Sequence, residues 1–226
     1  MIRETVIVDY INRYLTNKGI RFATEIKMGI GIPDIVFCLS CQNGLPHIND
    51  YYEISLLKYL HSNPKISIEN LSSSLNYNPV SIKKYLIDLE YKGIITLKNS
   101  IVNLNKDVFK RELNCQFAIE AKLHDWKSGI IQAERYLIFA DYSYLAMPQQ
   151  AIKSIDLSKL SEKGIGLLSI TEKNLVEILP PQRSICCDDK LKYMVQSEIY
   201  HRMPLKKHLR PNIFSDKCKI KSLQEV

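Results

Sequence analysis

The chain has 226 residues, of which 46% are hydrophobic and 24% charged, with a formal net charge of +7. That balance fits a soluble globular protein of one large or two small domains, and it excludes a disordered, collagen-like or low-complexity chain. No run approaches the roughly 18 apolar residues a membrane helix needs, and Met1-Ile2-Arg3-Glu4 begins without a signal-peptide apolar block, so a cytoplasmic protein with no membrane partner is expected.

In chain order, residues 3–18 predict a helix, because Ile7, Tyr10, Ile11, Tyr14 and Leu15 recur at helical spacing before Gly19. Residues 21–27 predict a strand, and Gly29-Ile30-Gly31 a turn. Residues 32–39 predict a mostly apolar, central strand, with Pro33 near its start where a missing N–H matters least. Residues 42–50 are rich in turn formers and read as a junction.

The next block has its own logic. Helices are predicted over 52–61, 67–75 and 80–92, with a tight turn at Asn76-Tyr77-Asn78-Pro79 and Gly93 as a C-terminal cap. Residues 94–97 and 101–104 then form a hairpin around Lys98-Asn99-Ser100. Helix, helix, turn, helix and a two-stranded wing resemble a winged helix-turn-helix. Beyond it, a strand over 115–123, a helix over 125–140, a strand over 142–147, a helix over 151–163 and a strand over 165–169 argue for an α/β sheet with parallel members. Residues 171–226 are less legible, with a helix readable over 190–201.

Charge is uneven along this plan. Residues 51–106 hold 7 Lys+Arg against 4 Asp+Glu, a net +3, and residues 201–226 hold 7 against 2, a net +5. Two basic blocks suggest contact with a polyanion, or solvated basic surfaces. The six cysteines include Cys38 and Cys41 as a CxxC and the adjacent Cys186-Cys187. Without an export signal free thiols are the default, no His stands at finger spacing for zinc, and Cys38 reads as buried packing.

The chemistry concentrates in two strands. In the 115–123 strand, Phe117, Ile119, Ala121 and Leu123 share one face, and Ala118, Glu120 and Lys122 the other. Taken alone, E-x-K is a common triplet that suits a solvated edge strand. Asp34, however, interrupts the apolar strand at 32–39. If these two strands pair, two carboxylates converge where a hard divalent cation could sit, since Mg²⁺ is typically held by one or two carboxylates and keeps several waters.

Pro33-Asp34 followed by Glu120-Ala121-Lys122 resembles the signature of the PD-(D/E)XK nuclease superfamily, and the order helix, strand, PD strand, ExK strand, helix, strand matches it as well. The resemblance implies a restriction-endonuclease-like α/β fold: a mixed sheet flanked by helices. It implies a discontinuous core over 1–41 and 112–180, an inserted winged helix-turn-helix over 50–106, and a C-terminal basic extension over 181–226. Asp34 and Glu120 lie 86 residues apart, farther than is usual in the family. An insertion whose own ends are close explains that distance without breaking the sheet.

The resemblance further implies Asp34 and Glu120 as metal ligands and Lys122 as the group that positions or polarises the attacking water. Glu4, on the first helix, is a candidate third metal ligand or a first-turn acid favoured by the helix dipole. Gln132, one turn before Tyr136, is a candidate catalytic residue or a solvated helix residue. Lys127 is a weaker candidate for phosphate, Glu25 for an extra ligand, and Asp125 for a helix N-cap. In the inserted module, Ser81, Lys83 and Lys84 on the third helix, and Lys98 and Asn99 at the wing tip, are candidate DNA contacts. The implied function is a Mg²⁺-dependent DNA endonuclease, with Mn²⁺ able to substitute, acting on duplex DNA as a monomer, homodimer or larger assembly. The alternatives are a non-catalytic DNA-binding or assembly protein of the same fold and an RNA-processing nuclease.

Overall fold

A computed structural model of the chain describes residues 3–39, 45–109, 113–171 and 174–203. Cys41 and most of the basic tail, residues 204–226, lie outside them. Six strands form a mixed sheet in the order β1-β2-β6-β7-β8-β9: β1 (Arg21–Thr24), β2 (Ile35–Cys38), β6 (Gln116–Ala121), β7 (Tyr142–Pro148), β8 (Gly166–Ile170) and β9 (Leu175–Leu179). β1, β2 and β6 pair antiparallel, β6, β7 and β8 pair parallel, and β9 returns antiparallel at the edge.

Helices cover both faces of this sheet. The predicted first helix is α1 (Glu4–Asn17), which buries Ile7, Ile11 and Leu15 against Ile35, Phe37, Phe117, Ile119 and Ala121. On the other face, α5 (Trp126–Tyr136) and α7 (Asp189–Arg202) cover Val36, Cys38 and Ala118. The short α6 (Leu157–Glu162) packs Leu160 beside Leu145 and Leu167. The period-two reading of the 115–123 strand holds, because the Phe117/Ile119/Ala121 side faces α1 and the Ala118 side faces α5 and α7. An α/β class with a mixed, helix-flanked sheet is therefore present. Cys38 is buried in the core beside β6, as expected, and Cys186 and Cys187 are free thiols.

Between β2 and β6 stands a second packed unit. It comprises α2 (Tyr51–Ser62), β3 (Lys65–Ser67), α3 (Ile68–Leu75), α4 (Pro79–Tyr91), β4 (Ile95–Lys98) and β5 (Ile101–Leu104), with the three strands in the antiparallel order β3-β5-β4. Its caps follow local chemistry. Asp50, Ser67 and Asn78 accept backbone N–H bonds at the starts of α2, α3 and α4, and Gly93, at φ 70°, ends α4 with its N–H donated to Glu90 O. Asn99 and Ser100 both adopt positive φ, which gives the β4–β5 turn a backbone twist that suits a tight hairpin.

Helix α7 joins the two units. Tyr193 and Tyr200 enter the core of the inserted unit, while Val195 and Ile199 enter the core beside β2. Both ends of the insertion attach to successive residues of this helix. Ser197 Oγ bonds the Ile48 carbonyl at 2.8 Å and His47 Nε2 lies 2.7 Å from Glu198; on the other side Asn114 bonds Gln196 and Tyr200. The two ends therefore meet on one stretch of α7, as an insertion that leaves its host sheet intact requires. Lys192, 6% exposed, pairs with Asp141, 4% exposed, at 2.6 Å and ties α7 to the start of β7.

Several elements differ from the sequence reading. The helix expected over 151–163 is instead a 3₁₀ turn over Gln149–Ser154 followed by α6, because Asp156 caps a fresh start. The helix expected over 125–140 ends at Tyr136, and β3 and β9 were not anticipated. Within the expected C-terminal extension, residues 189–202 are the packed helix α7 rather than a peripheral tail.

Candidate active site

Register brings the acids together. β2 and β6 pair with Ile35 opposite Ile119. One step further places Asp34 level with Glu120, and directly opposed residues on antiparallel strands share a face. β1 and β2 pair with Thr24 opposite Ile35, so Glu25 falls level with Asp34 in the same way. Glu25 takes a positive φ of 52° and donates its N–H to the Pro33 carbonyl.

The polar contacts then close around Glu120. Asp34 Oδ2 accepts a 2.7 Å hydrogen bond from the Ala121 N–H. Glu120, only 3% exposed, has Oε1 at 2.7 Å from Lys122 Nζ and Oε2 at 2.5 Å from the Tyr136 hydroxyl. The same hydroxyl lies 3.1 Å from the Ile32 carbonyl, and the Tyr136 ring packs so closely on Gly31 that a Cβ there would meet it at 2.9 Å. On α5, Gly129 lets the helix descend onto Lys122; a Cβ would meet Lys122 Cγ at 2.9 Å and Leu145 Cδ1 at 2.6 Å. Asp125 caps this helix by accepting the Ser128 N–H, as expected.

Burial is the largest influence on both acids. It raises the Asp34 carboxyl above its ordinary range; the Ala121 N–H and Lys122 work against the rise, and the charges of Glu4 and Glu25 add to it. Burial likewise raises Glu120, against the bonds from Lys122 and Tyr136 and with the Asp34 charge adding. Burial opposes the Lys122 charge, but Glu120, Glu4 and Asp34 outweigh it and leave the ammonium more basic than usual. Burial and then the Glu120 carboxylate push the Tyr136 phenol far up, so it stays a neutral donor. Two desolvated carboxylates with like-charge neighbours form a strained electrostatic site that an added positive charge would relieve.

The donor set can be tested against a divalent cation from these contacts alone. Carboxylate oxygens are hard donors, and each ionised carboxylate offers about four lone-pair sites. Asp34 uses one oxygen on Ala121, and its Oδ1 has no hydrogen-bond partner among the described residues. Glu120 uses one site on each oxygen. The set suits a cation that takes one or two carboxylates and keeps its waters. Among the described residues, no group of three or more His, Cys, Asp or Glu side chains is disposed to hold a metal.

The remaining candidates divide. Glu4 and Glu25 are exposed and reach the site through their charge, with neither bonded to it. Gln132 lies one turn before Tyr136, half-buried, and its amide oxygen is 3.4 Å from Ser128 Oγ rather than on either acid. Lys127 is exposed beside Trp126. Ser81, Lys83, Lys84, Lys98 and Asn99 are all exposed on the inserted unit. Sequence reasoning missed Tyr136 as a site residue, along with Gly129 and Gly31, whose lack of a side chain lets the helix and the ring approach. The available signal was helical spacing: Tyr136 lies one turn after Gln132 and two turns after Gly129.

Comparison of the chain with protein-family models, curated proteins and solved structures found no match in any of the three.

Proposed function

We propose that this protein is a divalent-metal-dependent endonuclease of the PD-(D/E)XK type, with the unit between β2 and β6 serving as an inserted winged helix-turn-helix. The observation that carries the reading is the meeting of Asp34, Glu120 and Lys122 on one face of two paired strands, from positions 86 residues apart. The antiparallel β1-β2-β6 run followed by α5 and the parallel β7 supports it, as does the closure of the insertion on α7.

Asp34 and Glu120 would hold Mg²⁺ or Mn²⁺, and such an ion supplies Lewis acidity toward a phosphoryl oxygen and a more acidic bound water. The chain's own groups do the rest. The Ala121 N–H fixes the Asp34 carboxylate, and Tyr136 and Lys122 fix Glu120 from opposite oxygens. Lys122 keeps a full positive charge at the site, where it can orient a water and offset the negative charge that grows on a phosphate under attack. Asn99 and Lys98, exposed at the wing tip, offer contact to a nucleic-acid backbone.

Cleavage of supercoiled plasmid and linear duplex in Mg²⁺, Mn²⁺ or EDTA tests the proposal. The wild type should cut only with metal, and Asp34→Ala and Glu120→Ala should each abolish cutting while keeping the native circular-dichroism spectrum. Undiminished cutting by both variants would defeat the site. Structured RNA in parallel separates an RNA-processing nuclease from a DNA nuclease. A second reading, a non-catalytic DNA-binding protein of this fold, draws on both Glu120 oxygens already having partners in Lys122 and Tyr136. Retarded DNA with no cleavage in any of the metals would favour it.

A further inference from the structure

Helix α4 carries an outward face that its own unit leaves uncovered. Ile82, Leu86 and Leu89 point into the core. On the opposite side stand Val80, 78% exposed, Ile87, 61% exposed, and Tyr91, 93% exposed. With Lys84 they occupy successive turns at i, i+4, i+7 and i+11, a single stripe along the helix. Three large apolar side chains in line on one exposed helix mark a contact surface rather than scattered surface residues. A helix that reads base edges in a groove would present polar side chains along such a stripe instead.

The charges beside the stripe specify the occupant. Lys83 and Lys84 lie in the N-terminal half of α4, and Asp88 and Glu90 in the C-terminal half, all exposed. Lys83 and Glu90 flank one side of the stripe, while Lys84 and Asp88 lie toward the other. When two copies of a helix pack antiparallel about a two-fold axis, each flank meets the same flank of the partner, running in reverse. An axis near residue 86 then sets Lys83 against Glu90, Lys84 against Asp88 and Val80 against Tyr91 across the pair, with the two Ile87 side chains near the centre. Every charge finds its opposite, and no like charges meet.

We propose that α4 is a self-association helix, whose outward stripe packs antiparallel on the α4 of a second copy of this chain. The Lys83 and Lys84 ammonium groups serve that pairing, and contact with nucleic acid falls to other surfaces. The inference goes beyond the hydrolytic reading and stands or falls without it.

Sedimentation equilibrium of the full chain is the test. The wild type should sediment at twice its 26.2 kDa monomer mass at micromolar concentration. Ile87→Asp, a change at an exposed position, should weaken the dimer about tenfold or more and leave the thermal unfolding of the monomer little changed. The decisive arm uses two charge reversals. Lys84→Glu and Asp88→Lys should each be monomeric alone, because each places like charges across the two-fold axis. Mixed in equal amounts they should form a heterodimer, since both cross-pairs are then opposite in sign. A monomeric wild type at 100 μM, a dimer indifferent to Ile87→Asp, or a mixture that stays monomeric would overturn the proposal. So would a monomeric wild type whose duplex-DNA affinity is lost in Lys83→Glu and Lys84→Glu, an outcome that assigns the face to nucleic acid.

Discussion

Replacing Tyr136 with Phe isolates one hydrogen bond. The ring would keep its packing on Gly31 and Phe139, so no cavity larger than a hydroxyl forms. What is lost is the donor 2.5 Å from Glu120 Oε2, on a carboxylate that water barely reaches. A hydrogen bond to a charged group contributes about 1.5–3 kcal/mol. For a chain of this size each kcal/mol moves Tm by about 2–4 °C, so Tyr136→Phe should melt about 3–12 °C lower. The sign of the pH dependence follows from the acid that loses its partner. Burial already raises Glu120, and the Tyr136 bond opposes that rise. Without it the folded carboxyl binds its proton more tightly than the unfolded one over a wider window. The variant's deficit is therefore smallest at acid pH, where Glu120 is protonated, and grows as pH rises through the raised carboxyl range, so the comparison is made at pH 4 and pH 8. Adding Mn²⁺ at pH 8 should restore part of the deficit if a cation sits on Glu120. Thermal melts by circular dichroism at the two pH values decide it. An equal Tm loss at both, or none at either, would show that the hydroxyl serves only the Ile32 carbonyl or nothing at all.

Three further substitutions follow from the same contacts. Asp34→Asn keeps an acceptor for the Ala121 N–H and removes a charge that burial, Glu4 and Glu25 all disfavour; it should abolish metal-dependent cutting yet raise stability by about 0.5–2 kcal/mol at pH 7, read from chemical denaturation. Lys192→Met leaves the buried Asp141 with only the 3.4 Å Arg183 contact as counter-charge and should cost about 1.5–3 kcal/mol in urea denaturation, with Asp141→Asn in the same chain recovering a good part of the loss. Gly129→Ala gains helix propensity of about 1 kcal/mol but overpacks Lys122 and Leu145 at a cost of about 1–3 kcal/mol; cutting should fall about tenfold or more while stability falls by no more than about 2 kcal/mol, and undiminished cutting would show that α5 does not hold Lys122 in place.

The part of the fold that was legible in the sequence is the part governed by strict periods. Alternation placed Glu120 and Lys122 together on the α5 side of β6, and the interruption at Asp34 marked β2. Caps and breakers set the inserted unit, where Asn78-Pro79 starts α4 and Gly93 ends it. The misses have physical causes. β3 has three residues, too few to show a period, and it forms only because β5 offers it an edge. β9 lies half-exposed on the sheet edge, so its side chains carry no clean alternation. Tyr136 was hidden because a tyrosine on a helix face reads as core, and it is core; its hydroxyl became a site group only through the close approach that Gly31 allows.

Helix α7 resisted the sequence reading for a reason that bears on how the whole chain is built. A helix with one wet face shows an apolar stripe, but α7 is enclosed on two sides, by β1 and β2 and by α2 and the core of the inserted unit, and buries Lys192, Gln196 and Ser197 along with Tyr193, Val195 and Ile199. Its polar residues are the fasteners: Lys192 to Asp141 in the sheet, Gln196 to Asn114 and Ser197 to Ile48 at the two ends of the insertion. A buried polar group costs free energy unless it is hydrogen-bonded, so each of these is tied to a specific partner and fixes the rotation of α7 about its own axis. The same contacts hold the insertion at a set orientation to the strands that carry Asp34 and Glu120. A loose tether would give the inserted unit many orientations; α7 gives it one, and any nucleic acid bound at the wing would then be presented to the acids in a fixed register.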